Sequence, residues 1–146
     1  IWRPWQLDQG VIHDLEHMQV VIAGKAHPKD QPGKTLIREI IQLSRDPEIS
    51  KRLVFVENYD IEVGRAMVQG VDIWLNTPQR GEEACGTSGM KAALNGVPQL
   101  SIMDGWWIEG FNGENGWAFG EDGGKGDRDR ADAGAIYDIL EKQVIP

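Results

Sequence analysis

The residues best equipped for chemistry lie together in the run Glu82-Glu83-Ala84-Cys85-Gly86-Thr87-Ser88-Gly89-Met90-Lys91, followed by Ala92-Ala93-Leu94-Asn95-Gly96. The run sets an acid, a hydroxyl between two glycines and a lysine at the mouth of one predicted helix. Those groups can hold a phosphate beside an amine-reactive ligand. Gly86 and Gly89 bracket Thr87-Ser88, and Met90 to Leu94 are good helix formers, so Thr87 or Ser88 is the expected N-cap. First-turn N–H groups have no partner within a helix, and the helix dipole adds about half a positive charge there, which favours an anion. Thr87 and Lys91 stand at i and i+4 and share a helical face. A phosphate at Thr87 would then have an amine within reach of the same ligand. Each part also has a plainer reading: Gly-Thr-Ser-Gly as a capped turn, Lys91 as a solvated surface lysine, Glu82 and Glu83 as acids complementing the dipole.

Weaker candidates lie around this run. Cys85 precedes the helix and could act as a nucleophile, but no histidine or other base is placed by the sequence to help it. His27, between Ala26 and Pro28, is a candidate general acid or cofactor contact, with a backbone hydrogen bond as the plainer alternative. Lys25 is the better candidate for holding an anion. Trp106, Trp107 and Trp117, from a total of six tryptophans, offer flat surfaces for sugars, although core or interface packing is the simpler role.

The elements that must position these groups alternate between strand and helix. Gln19 to Ala23 is a short apolar run closed by Gly24, as in a buried parallel strand. Beyond the loop at 27–33, Leu36, Ile37, Ile40, Ile41 and Leu43 recur at helical spacing until Asp46-Pro47. Leu53 to Val56 reads as a strand, Ile61 to Val68 as a helix, Val71 to Leu75 as a strand. The helix bearing Lys91 should end at Asn95-Gly96, with a strand at Gln99 to Met103 and a last helix over Ala131 to Val144. The glycine-rich tract Gly110 to Gly126 reads as a mobile loop, and its Glu114, Glu121 and Asp122 lack the spacing of a calcium loop. This order predicts a single α/β domain over 1–146, a Rossmann-like parallel sheet with helices on both faces, less regular at 1–19 and 110–130. Ligands of such sheets bind beyond the carboxyl ends of the strands, where Gly24-Lys25, Glu57-Asn58-Tyr59, Asn76 to Arg80 and Asp104-Gly105 all fall.

The run from Glu82 to Gly96 resembles the pyridoxal-phosphate segment of the glycogen and α-glucan phosphorylases, in which Glu-Ala-Ser-Gly-Thr and two variable residues precede Met-Lys and a stretch ending Asn-Gly. Val54-Phe55-Val56-Glu57-Asn58-Tyr59 resembles the strand and Glu-Asn-Tyr ahead of that segment, and Tyr59 and Glu83 keep the family's spacing. Ala23-Gly24-Lys25-Ala26-His27-Pro28 is similar to its Gly-Lys-Ala-x-Pro loop. Met103 to Gly110, with Asn115-Gly116-Trp117-Ala118, looks like the short bacterial and archaeal branch. The resemblance covers residues 20 to 120 or so. It implies the C-terminal half of a GT-B glycosyltransferase, with Lys91 forming the Schiff base with pyridoxal 5'-phosphate and Thr87 and the Gly86 backbone holding the cofactor phosphate. Tyr59 would lie against the cofactor, while Glu83, with the backbone at Cys85 and Gly86, would hold the glucosyl hydroxyls. The cofactor's phosphate, rather than its aldehyde, would serve the chemistry as proton partner to inorganic phosphate.

Two departures bear on this resemblance. Cys85 stands where the family usually has Ser, a mild change because the implied role is largely that of the backbone. The family's Arg/Lys-rich segment for the reacting phosphate has no counterpart between Ile1 and Gln19, where Arg3 is the lone Arg or Lys. The opening Ile1-Trp2-Arg3-Pro4-Trp5, without Met, is what a piece of a longer protein would show, and the expected function is that of the C-terminal domain of an α-glucan phosphorylase, inactive by itself. Its substrates would be an α-1,4-glucan and phosphate, and its product glucose 1-phosphate. A nucleotide-sugar-dependent glucan synthase domain and a non-catalytic sugar-binding or assembly module are the alternatives.

Composition bounds these readings. The 146 residues, 40% hydrophobic, suit one globular domain but not two. A net charge of −8, from 23 acids against 15 bases, argues against a nucleic-acid partner, which needs a basic face. One cysteine allows no internal disulfide and no cysteine metal cluster, consistent with the cytoplasm. No apolar run has the roughly twenty residues of a membrane span. Helix and sheet faces bared by missing elements would favour homo-oligomers.

Overall fold

The computed structural model describes residues 18–120 and 128–145. Its backbone contacts divide it into two compact units, with the division between Gly64 and Arg65. In the first unit, β1 (Val20–Ala23) pairs in parallel with β2 (Leu53–Val56), in the register Val20 to Leu53 through Ala23 to Val56. Parallel neighbours need a crossover, and α1 (Gln31–Leu43) supplies it. The helix begins a turn earlier than its apolar pattern because Asp30 caps it, the carboxylate accepting the Gly33 N–H at 2.9 Å, with Pro32 in the first turn. At its end, the Ser44 hydroxyl donates to the Ile41 carbonyl at 2.9 Å. Leu36, Ile37, Ile40 and Ile41 are half-buried, and α1 packs on β2. The helix α2 (Ile61–Gly70) spans the division between the units; its first turn is capped by Asp60, which accepts from the Val63 N–H at 2.9 Å.

The second unit holds a three-stranded parallel sheet in the order β3 (Trp74–Asn76), β4 (Gln99–Ile102), β5 (Gly116–Phe119). All four residues of β4 are buried, as befits a central parallel strand covered on both faces. α3 (Thr87–Leu94) crosses from β3 to β4, a four-residue α4 (Trp107–Gly110) from β4 toward β5, and α5 (Arg128–Ile139) packs on β5 before continuing as a π-helical turn, Leu140–Val144. Ala92, Val97, Leu100, Ile102, Trp107, Phe119, Ile136 and Leu140 form the core. Parallel strands joined by helices make the fold α/β, as the alternating pattern implies.

Two sequence expectations need correction. The strand expected over 71–75 is confined to Trp74–Asn76, because only from Trp74 does the chain pair with β4, through its N–H to the Pro98 carbonyl at 3.0 Å and the ladder from Trp74–Gln99. The tract read as a mobile loop contains β5. Gly116 is structural rather than loosening: a Cβ there would lie 2.1 Å from the Gln99 carbonyl oxygen, so only glycine lets the strand come this close. Ahead of it, the Asn112 side chain accepts from the N–H groups of Glu114 and Asn115 at 2.9 and 3.0 Å, and the Asn115 amide donates to the Gly110 carbonyl at 2.7 Å, fixing the turn. The remainder of that tract, with Glu121 and Asp122, and the opening stretch expected to lack a basic element, lie outside the described residues.

Candidate active site at the start of the third helix

The entry to α3 differs from the sequence expectation at its cap. Gly86, not Thr87 or Ser88, is the N-cap, at φ 88° and ψ 49°, and Thr87 is the first helical residue. A left-handed entry needs glycine, and glycine has no side chain with which to cap, so no side-chain hydrogen bond closes the helix. The first-turn N–H groups therefore remain available to an anion. The absence of side chains at two glycines lets neighbours pack directly on this turn. A Cβ on Gly86 would sit 3.1 Å from the Trp106 indole, and one on Gly89 would sit 2.9 Å from Gln99 Oε1 and 3.1 Å from the Trp106 ring nitrogen. The indole lies along the Gly86–Gly89 turn as its wall.

Thr87 and Lys91 are exposed, one turn apart on α3. Among the described residues, neither side chain has a hydrogen-bond or ionic partner. The helix ends at Asn95, whose amide donates to the Lys91 carbonyl at 2.7 Å. Cys85 is exposed, its Sγ 3.5 Å from the Met90 thioether, a soft apolar neighbour and not a base.

The loop before the helix is held from beneath by Asp104, which follows β4 and is only 8% exposed. Its Oδ2 accepts from the N–H groups of Gly81 and Glu83 at 2.8 and 3.1 Å, and its Oδ1 from that of Gly105 at 2.9 Å. Burial pushes the Asp104 carboxyl up, but the backbone N–H groups of Gly105, Glu83, Gly81 and Glu82 outweigh it and hold the group below its ordinary value. A second tie, from the Trp106 N–H to the Cys85 carbonyl at 2.8 Å, joins the same two segments. Glu83 is half-buried, with Cγ 2.8 Å from where a Gly105 Cβ would be and Oε1 3.5 Å from a Gly86 Cβ. Its side chain thus lies between those two glycines. Nearby, Arg80 pairs with Asp132 at 2.5 Å.

Glu83, Cys85, Gly86, Thr87 and Lys91 are therefore brought together in the second unit. Tyr59 belongs to the first, half-buried with its ring over Gly64, where a Cβ would come 2.6 Å from the phenolic oxygen. Lys25 lines an open groove of about 390 Å³ in that unit with Phe55, Glu57 and Asn58. His27 follows its plainer reading, with Nδ1 accepting the Lys29 N–H at 3.2 Å. Trp107 is core, 1% exposed, with ring centroids 5.2 Å from both Trp106 and Phe111. Sequence reasoning gave no task to Asp104 and did not single out Trp106 as the wall. The available signal was Asp104-Gly105 directly after a strand, a carboxylate and a tight turn at the ligand-binding edge.

Among the described residues, no helix is long and apolar enough to cross a membrane, and no cluster of three or more His, Cys, Asp or Glu could hold a metal ion. The carbohydrate phosphorylase family model matches residues 5–142. The chain is 58% identical over 137 residues to a glycogen phosphorylase of Aquifex aeolicus, covering 93% of this chain and 20% of that protein. It is 48% identical over 130 residues to a maltodextrin phosphorylase of Thermococcus litoralis, with 87% and 16% covered. To a glycogen phosphorylase of Mycobacterium tuberculosis it is 45% identical over 146 residues, with 98% and 17% covered. The chain thus spans a fifth or less of the length of these curated relatives. With the family model matching nearly its whole length, and with the lysine-bearing helix built as described, this chain belongs to the carbohydrate phosphorylases.

Proposed function

We propose that this chain is a single Rossmann-like domain, part of the C-terminal half of a GT-B enzyme that transfers the terminal glucosyl unit of an α-1,4-glucan to phosphate and releases glucose 1-phosphate. The observation that carries the reading is the uncapped α3 N-terminus at Gly86 with the Lys91 amine, which has no partner among the described residues, one turn away. Pyridoxal 5'-phosphate fits this pairing. Among the described residues the first-turn N–H groups have no side-chain cap, so they and the Thr87 hydroxyl suit its phosphate, and Lys91 suits its aldehyde. When bound, it supplies a phosphate able to exchange a proton with inorganic phosphate.

The chain's own residues then have separate tasks. Lys91 anchors the cofactor by its amine. Thr87 and the Gly86 backbone hold the anionic end. Glu83, with the backbone at Cys85 and Gly86, binds glucosyl hydroxyls, a charge-assisted role suited to a carboxylate whose side chain lies beside the Gly86 turn. Family membership favours phosphate as acceptor over a nucleotide-sugar reaction, in which Lys91 would have no task. Glucan and phosphate supplied to the complete protein should yield glucose 1-phosphate, and Lys91→Ala should abolish it. Equal product from the variant would refute the assignment.

A further inference from the structure

We infer that Asp104 is a positioning residue for sugar binding, acting through Glu83 rather than through the cofactor; this rests on the proposed role of Glu83. The geometry separates the two sides of the site. Asp104 reaches the backbone N–H of Glu83 at 3.1 Å and that of Gly81 at 2.8 Å with one oxygen, and that of Gly105 at 2.9 Å with the other. Those three donors frame the place where the Glu83 side chain runs, between Gly105 and Gly86. Thr87 and Lys91 receive no bond from Asp104. They are fixed by α3 itself, through the Gly86 entry and the Asn95 end.

A buried carboxylate is costly unless its lone pairs are satisfied, and three backbone donors satisfy these. Each bond in turn removes a degree of freedom from the loop carrying Glu83. Asparagine in this place cannot reproduce the pattern. It offers one oxygen and one NH₂, so whichever way the amide turns, a donor faces either Gly105 N–H or the N–H pair of Gly81 and Glu83. The loop must then shift, and Glu83 with it, while the helix that holds Thr87 and Lys91 stays.

The test compares Asp104→Asn, Asp104→Glu and unaltered protein, each complete and loaded with pyridoxal phosphate, in the direction that consumes glucose 1-phosphate. Asp104→Asn should raise the KM for glucose 1-phosphate about tenfold or more, the effect of a lost charge-assisted hydrogen bond, with cofactor content and absorbance unchanged. Asp104→Glu keeps two acceptor oxygens and should recover part of the affinity. Unchanged KM in the Asn variant of an active protein would overturn the role of Asp104 alone. Loss of cofactor in step with affinity, or failure of both variants to fold, would make Asp104 a general determinant of the fold and overturn it too. An unaltered protein with neither cofactor nor activity would instead remove the underlying reading of the site.

Discussion

At Asp104, burial and hydrogen bonding pull in opposite directions, and the three backbone bonds win. The consequence for stability has a definite sign. A carboxyl held below its ordinary value of 3.8 contributes stability that is fully present above that value and is lost as pH falls through the folded value. Thermal melts in acid should therefore show Asp104→Asn less stable than the unaltered chain at neutral pH, by about 1–3 kcal/mol for a buried donor left unpaired, with the gap closing below about pH 4. A gap that stays constant into strong acid would contradict the ionised state assigned to this residue. Lys91 and Thr87, at the opposite extreme, are exposed and their side chains make no bonds among the described residues, so Thr87→Ala should change stability by no more than about 0.5 kcal/mol while weakening retention of the cofactor phosphate. Equilibrium dialysis of the cofactor against both proteins reads the difference. The type and spacing of Thr87 and Lys91 were legible in the sequence because helical i, i+4 geometry is local. The place of Asp104 at the ligand-binding edge was legible too, but its bracing role was not, because its donors at Gly81 and Glu83 come from a distant segment of the chain.

Among the elements, α3 and β5 show what sequence patterns reveal and conceal. The α3 boundary at Asn95 follows from a standard helix stop, and β2 was read to the residue from its apolar run between polar turns. Its N-cap escaped because a left-handed glycine leaves no side-chain signature, and Thr87-Ser88 offered a plausible but wrong one. Gly86→Ala should be costly: the left-handed backbone carries about 1–2 kcal/mol for a residue with a Cβ, and contact with Trp106 at 3.1 Å adds to it. Denaturant unfolding of this variant should show that loss, whereas a neutral result would contradict the cap geometry. β5 was concealed by composition, since the glycines of the surrounding tract signal a loop while Gly116 serves close strand pairing. Gly116→Ala meets the Gln99 backbone rather than a flexible side chain and should separate β5 from β4, seen as lost protection of β5 amides in hydrogen exchange.

On the scale of the whole molecule, parallel pairing carried by helical crossovers was foreseeable from the alternation of apolar runs, whereas the division between Gly64 and Arg65 was not, because it falls inside a continuous helix. Such catalysis draws much of its rate from oriented binding of two substrates and from charge stabilisation in a closed cleft, and this chain spans at most a fifth of its curated relatives. By itself it should release little or no glucose 1-phosphate from glucan and phosphate. Brisk release would contradict the need for further protein. Cofactor capture asks less, since the anion-receiving turn and the amine lie on one helix. The most direct measurement is therefore borohydride reduction of the chain with pyridoxal 5'-phosphate, followed by digestion and mass mapping. The modification should fall on the peptide bearing Lys91 and vanish when free phosphate-bearing analogue is in excess; labelling spread over Lys25, Lys34 and other lysines, with Lys91 spared, would contradict the site.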